Sequence, residues 1–174
     1  MKALIGLAAA AVLALTAGGI KAAIPGVQSG PEPAEGKTSQ VRVTAVVDGD
    51  TIRVETLEGR QLGRVRLLGI DAPEVAHPPA PAECYATDAT RMLERLAPVG
   101  STVDLVTDTA QPSRDRYDRL LRYVDHDDVD VARELLASGA ARRYEADRAL
   151  AREESYAAAF DDAQGAERGL WGNC

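Results

Sequence analysis

Acidic and basic side chains concentrate in two short segments of this 174-residue chain. The segments are Asp48-Gly49-Asp50-Thr51 and Arg66-Leu67-Leu68-Gly69-Ile70-Asp71-Ala72-Pro73-Glu74. Carboxylates that lie close together repel each other unless a cation lies among them, and oxygen ligands suit a hard ion such as calcium. A metal ion beside an arginine can bind a phosphate oxygen. These residue types predict phosphodiester hydrolysis, with Glu74 free to take a proton from water.

Alternating apolar and polar residues place both segments at the ends of predicted strands. Three strands are predicted in this part of the chain, over residues 41–47, 52–56 and 61–70. The Asp-Gly pair between the first two is typical of a hairpin turn. Asp71 and Glu74 lie just beyond the third strand, in which Arg66 is predicted to share a face with Leu68 and Ile70. Taken singly, either motif is more often structural, as a hairpin turn or an exposed loop.

The rest of the chain predicts two more strands and about three helices. The strands cover residues 103–107 and 120–124, and the helices cover 89–96 with Thr87 as N-cap, 131–139 with Asp130 as N-cap, and 148–164. The proline-containing loop 75–83 carries His77, which could touch a substrate but is expected to be inert, because exposed loop histidines without a partner usually are. Five short strands with helices after the third and the fifth suggest an OB-fold barrel with appended helices.

Two further segments carry basic and aromatic side chains. The loop before the fifth strand reads Gln111-Pro112-Ser113-Arg114-Asp115-Arg116-Tyr117-Asp118-Arg119. Its acidic residues Asp115 and Asp118 could simply neutralise two of its arginines. The second segment is Arg142-Arg143-Tyr144, which could contact phosphate and stack a base. Packing of these side chains along the protein surface is an equal alternative.

Together these motifs resemble the staphylococcal nuclease (thermonuclease) family. The family pattern is Asp-Gly-Asp-Thr followed by Arg-Leu-x-x-x-Asp-x-Pro-Glu, and a long spaced motif in its expected context is specific. A third family motif, Asp-x-Tyr-x-Arg ahead of a strand, is matched by Asp115, Tyr117 and Arg119. The resemblance extends from about Gln40 to Trp171, and it implies that the five strands close into a barrel.

The resemblance implies calcium as the cofactor. Its ligands would be the carboxylates of Asp50 and Asp71 and the backbone carbonyl of Ala72, with Asp48 close by and waters completing the shell. The founding member of the family has threonine in place of Ala72. Because the ligand there is a carbonyl oxygen, this difference should leave the ion in place, although a hydroxyl beside the site is lost.

The resemblance also implies the roles of the other site residues. Glu74 would orient or deprotonate the attacking water, while Arg66 and Arg119 would hold the phosphate and stabilise its developing charge. Arg116 and Tyr117 would contact the substrate. The implied reaction is endonucleolytic hydrolysis of DNA or RNA that leaves 3′-phosphates.

The N-terminal part of the chain is typical of an exported protein. Residues 1–21 start with Met-Lys and continue as an apolar, alanine-rich run, which predicts an export signal or, alternatively, an uncleaved membrane anchor. Residues 22–39 are rich in Pro, Gly, Ser and Gln and predict a flexible linker, so the folded domain is predicted over 40–174. We therefore expect a secreted protein or a domain held outside the membrane.

The two cysteines, Cys84 and Cys174, have no Cys-x-x-Cys spacing. In an exported protein the simplest arrangement is one disulfide, and the alternative is two free thiols in a cytosolic protein. Two cysteines and two distant histidines are too few for a structural zinc site.

The formal net charge of −7 works against nucleic-acid binding, which normally uses a basic surface. We therefore expect a small local basic patch. The competing functions are an OB-fold module that binds single strands without cutting them and a secreted calcium-binding structural domain. The combination of Arg66, Glu74 and Arg119 favours the nuclease over both. The sequence implies nucleic acid as the partner, no protein partner, and a monomer.

Overall fold

The computed structural model describes residues 34–174, so the predicted signal or anchor (1–21) and most of the predicted linker lie outside the described residues. Its strands are β1 Glu35–Val46, β2 Thr51–Thr56, β3 Gln61–Leu67, β4 Ile70–Asp71, β5 Thr102–Asp108, β6 Leu120–His126, β7 Val129–Asp130 and β8 Arg142–Arg143. Its helices are α1 Ala86–Leu96, α2 Val131–Ala137, α3 Glu153–Gly165 and the short α4 Leu170–Asn173. No helix in this range is long and apolar enough to cross a bilayer.

The main sheet closes into a barrel. Its strand order is β3-β2-β1-β5-β6-β7, and β3 also pairs with β6 in parallel, with Val65 opposite Leu120. The other neighbouring strands of the barrel are antiparallel. The predicted five-stranded OB-fold with about three appended helices is therefore confirmed, with β1, β2, β3, β5 and β6 as the barrel.

The alternation seen in the sequence fills the barrel interior. Its fully buried side chains include Val43, Ile52, Val54, Val65, Leu67, Leu105 and Val124. Burying each such side chain contributes about 1.5–3 kcal/mol. Residues of β2 and β3 that alternate with these, among them Arg53 and Arg64, are exposed on the outer face. The barrel thus has an apolar interior and carries polar side chains on its outside.

The first strand begins earlier than the predicted domain start at Gln40. Residues 35–39 form part of β1, where Thr38 pairs with Val106 and Ser39 with Leu105. All five side chains are exposed, so they carry no apolar alternation. Assigning them to the linker was wrong, because backbone pairing with β5, and not burial, makes this segment a strand.

The third strand ends earlier than predicted. β3 stops at Leu67, the chain turns at Gly69 with φ 78°, and Ile70 continues as β4, paired with Arg143 of β8. The predicted common face of Arg66, Leu68 and Ile70 is wrong, because the turn interrupts the strand and both apolar residues are buried. This turn brings the carbonyl of Ile70 within hydrogen-bond distance of Arg66.

The helix starts differ from prediction at two of three positions. Asp130 caps α2 as predicted, with Oδ1 accepting from the Arg133 N–H at 3.0 Å. Helix α1 begins at Ala86, with Tyr85 and not Thr87 at its N-cap. Helix α3 begins at Glu153 and not at residue 148, because tertiary hydrogen bonds hold the preceding residues. One of these joins the Ala151 N–H to the buried Asp108 at 2.9 Å.

Candidate active site

Arg66 lies between the two carboxylates predicted to bind calcium. Its Nη2 is 3.0 Å from Oδ2 of Asp50 and 2.8 Å from Oδ1 of Asp71. Its Nη1 donates to the carbonyls of Ile70 at 2.6 Å and Leu67 at 3.1 Å. The turn after β3 therefore holds the guanidinium in one orientation.

Asp50 is a buried carboxylate with every contact supplied by the two motifs. Its Oδ1 accepts from the Thr51 hydroxyl at 2.9 Å, and its Oδ2 accepts from the Ala72 N–H at 3.0 Å. Burial raises the pKa of Asp50 to about 7, although the neighbouring Arg66 acts in the opposite direction. Asp48 lies beside it, and its Oδ1 accepts from the Asp50 N–H at 3.0 Å.

A close backbone approach brings the two motifs together. Gly49 is buried, and a Cβ added there would lie 2.6 Å from the Cβ of Ala72 and 2.9 Å from the Cβ of Ala89. Glycine at this turn therefore allows the Asp48–Asp50 segment to pack against the Asp71–Glu74 segment. This contact places Asp50 next to the predicted carbonyl ligand.

The donor atoms fit a hard cation with few protein ligands. Oxygens of Asp50 and Asp71 converge on the same nitrogen of Arg66, so a positive charge is already stabilised between them. Within residues 34–174, no group of three or more His, Cys, Asp or Glu side chains is arranged to hold a metal. Two carboxylates and a carbonyl would therefore need waters to complete a calcium shell of 6–8 oxygens.

Glu74 lies on an exposed loop that Glu83 holds in place. The Glu74 N–H donates to Oε2 of Glu83 at 3.1 Å, and the Glu83 N–H donates to the Glu74 carbonyl at 2.9 Å. These backbone contacts leave the Glu74 carboxylate exposed to solvent. His77, expected to be inert, has its Nε2 3.9 Å from Oε2 of Glu74, but both side chains are exposed and such a pair contributes little.

Asp115 positions the second predicted catalytic arginine. Its Oδ2 accepts from Nε of Arg119 at 2.7 Å, and its Oδ1 accepts from the N–H groups of Arg119 and Tyr117, both at 2.9 Å. Burial alone would raise the pKa of Asp115, but these hydrogen bonds from Arg119 and Tyr117 outweigh it and lower that pKa. These contacts hold the loop in place. The local charge pairing considered as an alternative is present, because Asp115 pairs with Arg119 and Asp118 pairs with Arg114 at 3.2 Å.

Two guanidinium groups lie close to the ring of Tyr117. The Cζ atoms of Arg116 and Arg119 are 4.7 and 5.4 Å from its ring centroid. Nη2 of Arg116 also donates to its hydroxyl at 2.6 Å. Tyr117 is 55% exposed, so more than half of its surface remains open to solvent.

One groove of about 770 Å³ collects the predicted catalytic and substrate residues. We call it the Arg66 groove, and its lining includes Arg66, Asp71, Glu74, Arg116, Tyr117, Arg119 and Tyr144. Asp50 and Asp48 are not part of its lining, and the buried Asp50 contacts the groove through Arg66. The groove also includes Gln111 and Arg148, which the sequence did not single out as site residues because neither belongs to a family motif.

The predicted disulfide is present between Cys84 and Cys174, with their Cα atoms 6.0 Å apart. It ties the end of the chain to the residue that follows Glu83. The disulfide therefore lies next to Glu83, the residue that contacts the backbone of Glu74.

Comparison with known proteins identifies the family. Residues 64–173 match the family model described as "Staphylococcal nuclease homologue". The chain belongs to this family. As a staphylococcal nuclease homologue it includes Arg66, Asp71, Glu74 and Arg119 in the matched range, while Asp50 lies just ahead of it.

Three relatives of this staphylococcal nuclease homologue have names that describe nucleases. It is 39% identical over 102 residues to the SPbeta prophage-derived endonuclease YokF of Bacillus subtilis, covering 59% of this chain and 33% of that protein. It is 35% identical over 106 residues to endonuclease YncB of the same organism, covering 61% and 48%. It is 34% identical over 101 residues to the thermonuclease of Staphylococcus hyicus, covering 56% and 57%. The chain spans about half the length of the curated relatives it matches.

Proposed function

We propose that this protein is a metal-dependent nuclease that hydrolyses phosphodiester bonds in DNA or RNA. The observation that carries the proposal is the convergence of Arg66, Arg119 and Glu74 on one groove. The names of the endonuclease and thermonuclease relatives support the same activity. A groove lined by four arginines, Arg66 and Arg119 among them, and by an exposed carboxylate is complementary to a phosphate and an attacking water.

Each residue has a separate task in the proposed reaction. Arg66 and Arg119 bind the phosphate oxygens and stabilise the charge that develops as phosphorus becomes five-coordinate. Among the described residues, Asp115 accepts from Nε of Arg119. The Nη groups of Arg119 therefore remain for the phosphate. Glu74 takes the proton as the water oxygen bonds to phosphorus. The bond from phosphorus to the 5′-oxygen breaks, the 5′-oxygen takes a proton from solvent to become a hydroxyl group, and a 3′-phosphate remains.

The proposed cofactor is calcium, held by Asp50, Asp71 and the carbonyl of Ala72 with Asp48 in the outer shell. When bound, it would neutralise phosphate charge beside Arg66. Exposed Tyr117 and Tyr144 offer stacking surfaces, and Arg116 offers a phosphate contact. The two competing functions have less support. The guanidinium of Arg66 already lies between the two carboxylates, and in a purely structural calcium site this positive charge would only weaken calcium binding.

The test is cleavage of single-stranded DNA and RNA by the whole chain, with calcium and with a chelator. We expect cleavage that needs the ion and that falls about 100-fold or more in Glu74→Gln, since general bases contribute at least this much. Glu94→Gln, on the exposed side of α1, is the matched control and should keep full activity. Binding of the strand without cleavage under any divalent ion would replace the nuclease with the OB-fold binding module.

We also propose that the protein is exported, either released or anchored at residues 1–21. The disulfide supports this proposal, because such bonds persist in oxidising compartments. Fractionation of cells that express the whole chain tests it. Recovery in the cytosol with both thiols free would contradict it.

A further inference from the structure

Two arginines face each other across the outer surface of the barrel. Arg53 of β2 and Arg64 of β3 are paired in the antiparallel register, and both are exposed on the same face. Like charges directly opposite each other destabilise a strand pair. Neither forms an ion pair among the described residues. This pair therefore has an electrostatic cost that no internal carboxylate offsets.

The arginine pair, Arg53 with Arg64, continues the Arg66 groove. Arg64 precedes Arg66 by two residues on the same strand face, so their Cα atoms are about 6.6 Å apart. Nη2 of Arg64 lies 3.5 Å from the carbonyl of Tyr117, which links the strand to the groove loop. A chain of guanidinium groups thus leads from the proposed catalytic arginine onto the outer sheet.

The distribution of charge around this path is uneven. The nearest acid on the same face of β2, Glu55, accepts from Arg42 at 3.4 Å and from Gln61 at 2.8 Å, and Glu58 lies at the exposed hairpin turn. A separate acidic pocket of about 410 Å³ is lined by Glu35, Asp104, Asp125, Asp128 and Asp130 with Arg152. In a chain with net charge −7, unpaired arginines beside the groove give an anionic strand a local attraction.

We propose that Arg53 and Arg64 bind phosphates of the nucleic-acid strand outside the scissile bond. The surface therefore extends the substrate site beyond the groove and favours long strands over very short ones. This inference rests on the proposed function for its substrate class. Continuity with Arg66 on one strand face favours a nucleic-acid strand over other polyanions.

The test measures binding and not cleavage, so it is independent of nuclease activity. Whole chains that carry Glu74→Gln are titrated with fluorescent single strands of about 4 and about 16 nucleotides over a range of salt concentrations. Adding Arg53→Gln and Arg64→Gln should weaken binding of the long strand about fivefold or more. The slope of log affinity against log salt should fall by about 1.4, at ~0.7 per lost phosphate contact. The preference for the long strand should shrink accordingly.

The matched control removes the same charge from α1 through Arg91→Gln and Arg95→Gln, both exposed and outside the groove. An equal loss of affinity in both double variants would overturn the proposal, because it would reflect net charge alone. An unchanged long-strand affinity in the Arg53 and Arg64 variant would also overturn it. The wild-type chain could fail to cleave while the two double variants still differ in affinity. That result would contradict the proposed nuclease activity and would still support the binding surface.

Protein stability gives an independent measurement on the same variants. Removing the opposed charges should leave the unfolding temperature unchanged or raise it, because Arg53 and Arg64 repel each other. A loss of folding cooperativity would instead assign the pair a structural role and contradict the proposal.

Discussion

Nη2 of Arg66 lies 3.0 Å from Oδ2 of Asp50, so a fixed guanidinium contacts the buried carboxylate predicted to bind calcium. Nη1 of the same residue is committed to the Ile70 carbonyl at 2.6 Å. Arg66 therefore joins the start of β2 to the turn after β3. The backbone carbonyls of Leu67 and Ile70 fix one edge of its planar group, which would hold it in one orientation toward the proposed phosphate.

Replacing Arg66 by lysine should show that this planar group matters more than its charge. Lysine keeps the charge but cannot contact two carboxylates, the turn and a phosphate together. We expect kcat on single-stranded DNA to fall about 100-fold. Arg42→Lys, at an ion pair with Glu55 outside the groove, is the control and should keep normal activity. Equal activities of the two variants would refute the role given to Arg66.

The buried Asp50 should make the stability of the metal-free protein depend on pH. Its pKa is raised from 3.8 to about 7 in the folded state, so the folded state holds this proton more tightly. The resulting stabilisation is complete below about pH 3.8, the ordinary pKa of this carboxyl, and is lost as pH rises through about 7. Urea unfolding with a chelator at several pH values measures it. Asp50→Asn should lack this component, and an unchanged pH profile in that variant would contradict it.

Calcium should stabilise the protein more at high pH than at low pH. An ion bound at Asp50 competes with the proton that this carboxylate holds below about pH 7. The increase in unfolding temperature on adding calcium should therefore be larger at pH 7.5 than at pH 5. These two pH values lie on either side of the Asp50 pKa of about 7. Asp50→Asn should abolish most of the increase. A calcium effect that is constant with pH would argue against Asp50 as a ligand.

Asp115→Asn should lower activity through Arg119. The asparagine cannot offer two charged oxygens to Nε and the two N–H groups that Asp115 now holds. We expect kcat to fall at least about tenfold, since one misplaced charge donor costs this much or more. Asp118→Asn, an exposed residue paired with Arg114, is the matched control and should change kcat little. A similar loss in both variants would indicate a general effect on the loop.

Removing the disulfide should lower stability more than it lowers activity. Cys84 and Cys174 are separated by 90 residues, and a bond across a long loop stabilises by about 2–5 kcal/mol. Cys84→Ala with Cys174→Ala should lower the free energy of unfolding by that amount, measured in denaturant. Adding a reducing agent should destabilise the wild type and leave the double variant unchanged. Sensitivity of both proteins to the reducing agent would contradict this account.

Gly69→Ala should be more destabilising than Gly59→Ala, although both positions have positive φ, 78° and 87°. A Cβ at Gly69 would lie 2.7 Å from the ring of Tyr156, whereas a Cβ at Gly59 would have no atom within 4 Å. The strain common to both costs about 1 kcal/mol, and overpacking at Gly69 adds about 1–3 kcal/mol. Urea unfolding of the two variants compares them. Equal losses would show that the buried turn can relax.

Local patterns predicted much of this protein. Alternation over residues 41–47 and 52–56 identified β1 and β2, and the side chain of Asp130 identified the start of α2. The motifs predicted Arg66, Glu74 and Arg119 as site residues, because each motif is a short run of neighbours along the chain, and all three line the Arg66 groove. Such patterns depend only on local spacing, so they can be recognised in the sequence without knowledge of the fold.

Relationships between distant segments were decided only by the tertiary structure. Pairing of Val65 with Leu120 closes the barrel, and pairing of Thr38 with Val106 extends β1 through residues that carry no apolar alternation. The register of β2 against β3 also sets Arg53 opposite Arg64. A shift of one residue would turn one of these side chains to the other face. The sequence thus determined which groups are available for chemistry, and long-range pairing decided which of them meet, because register and closure depend on the packing of the whole barrel.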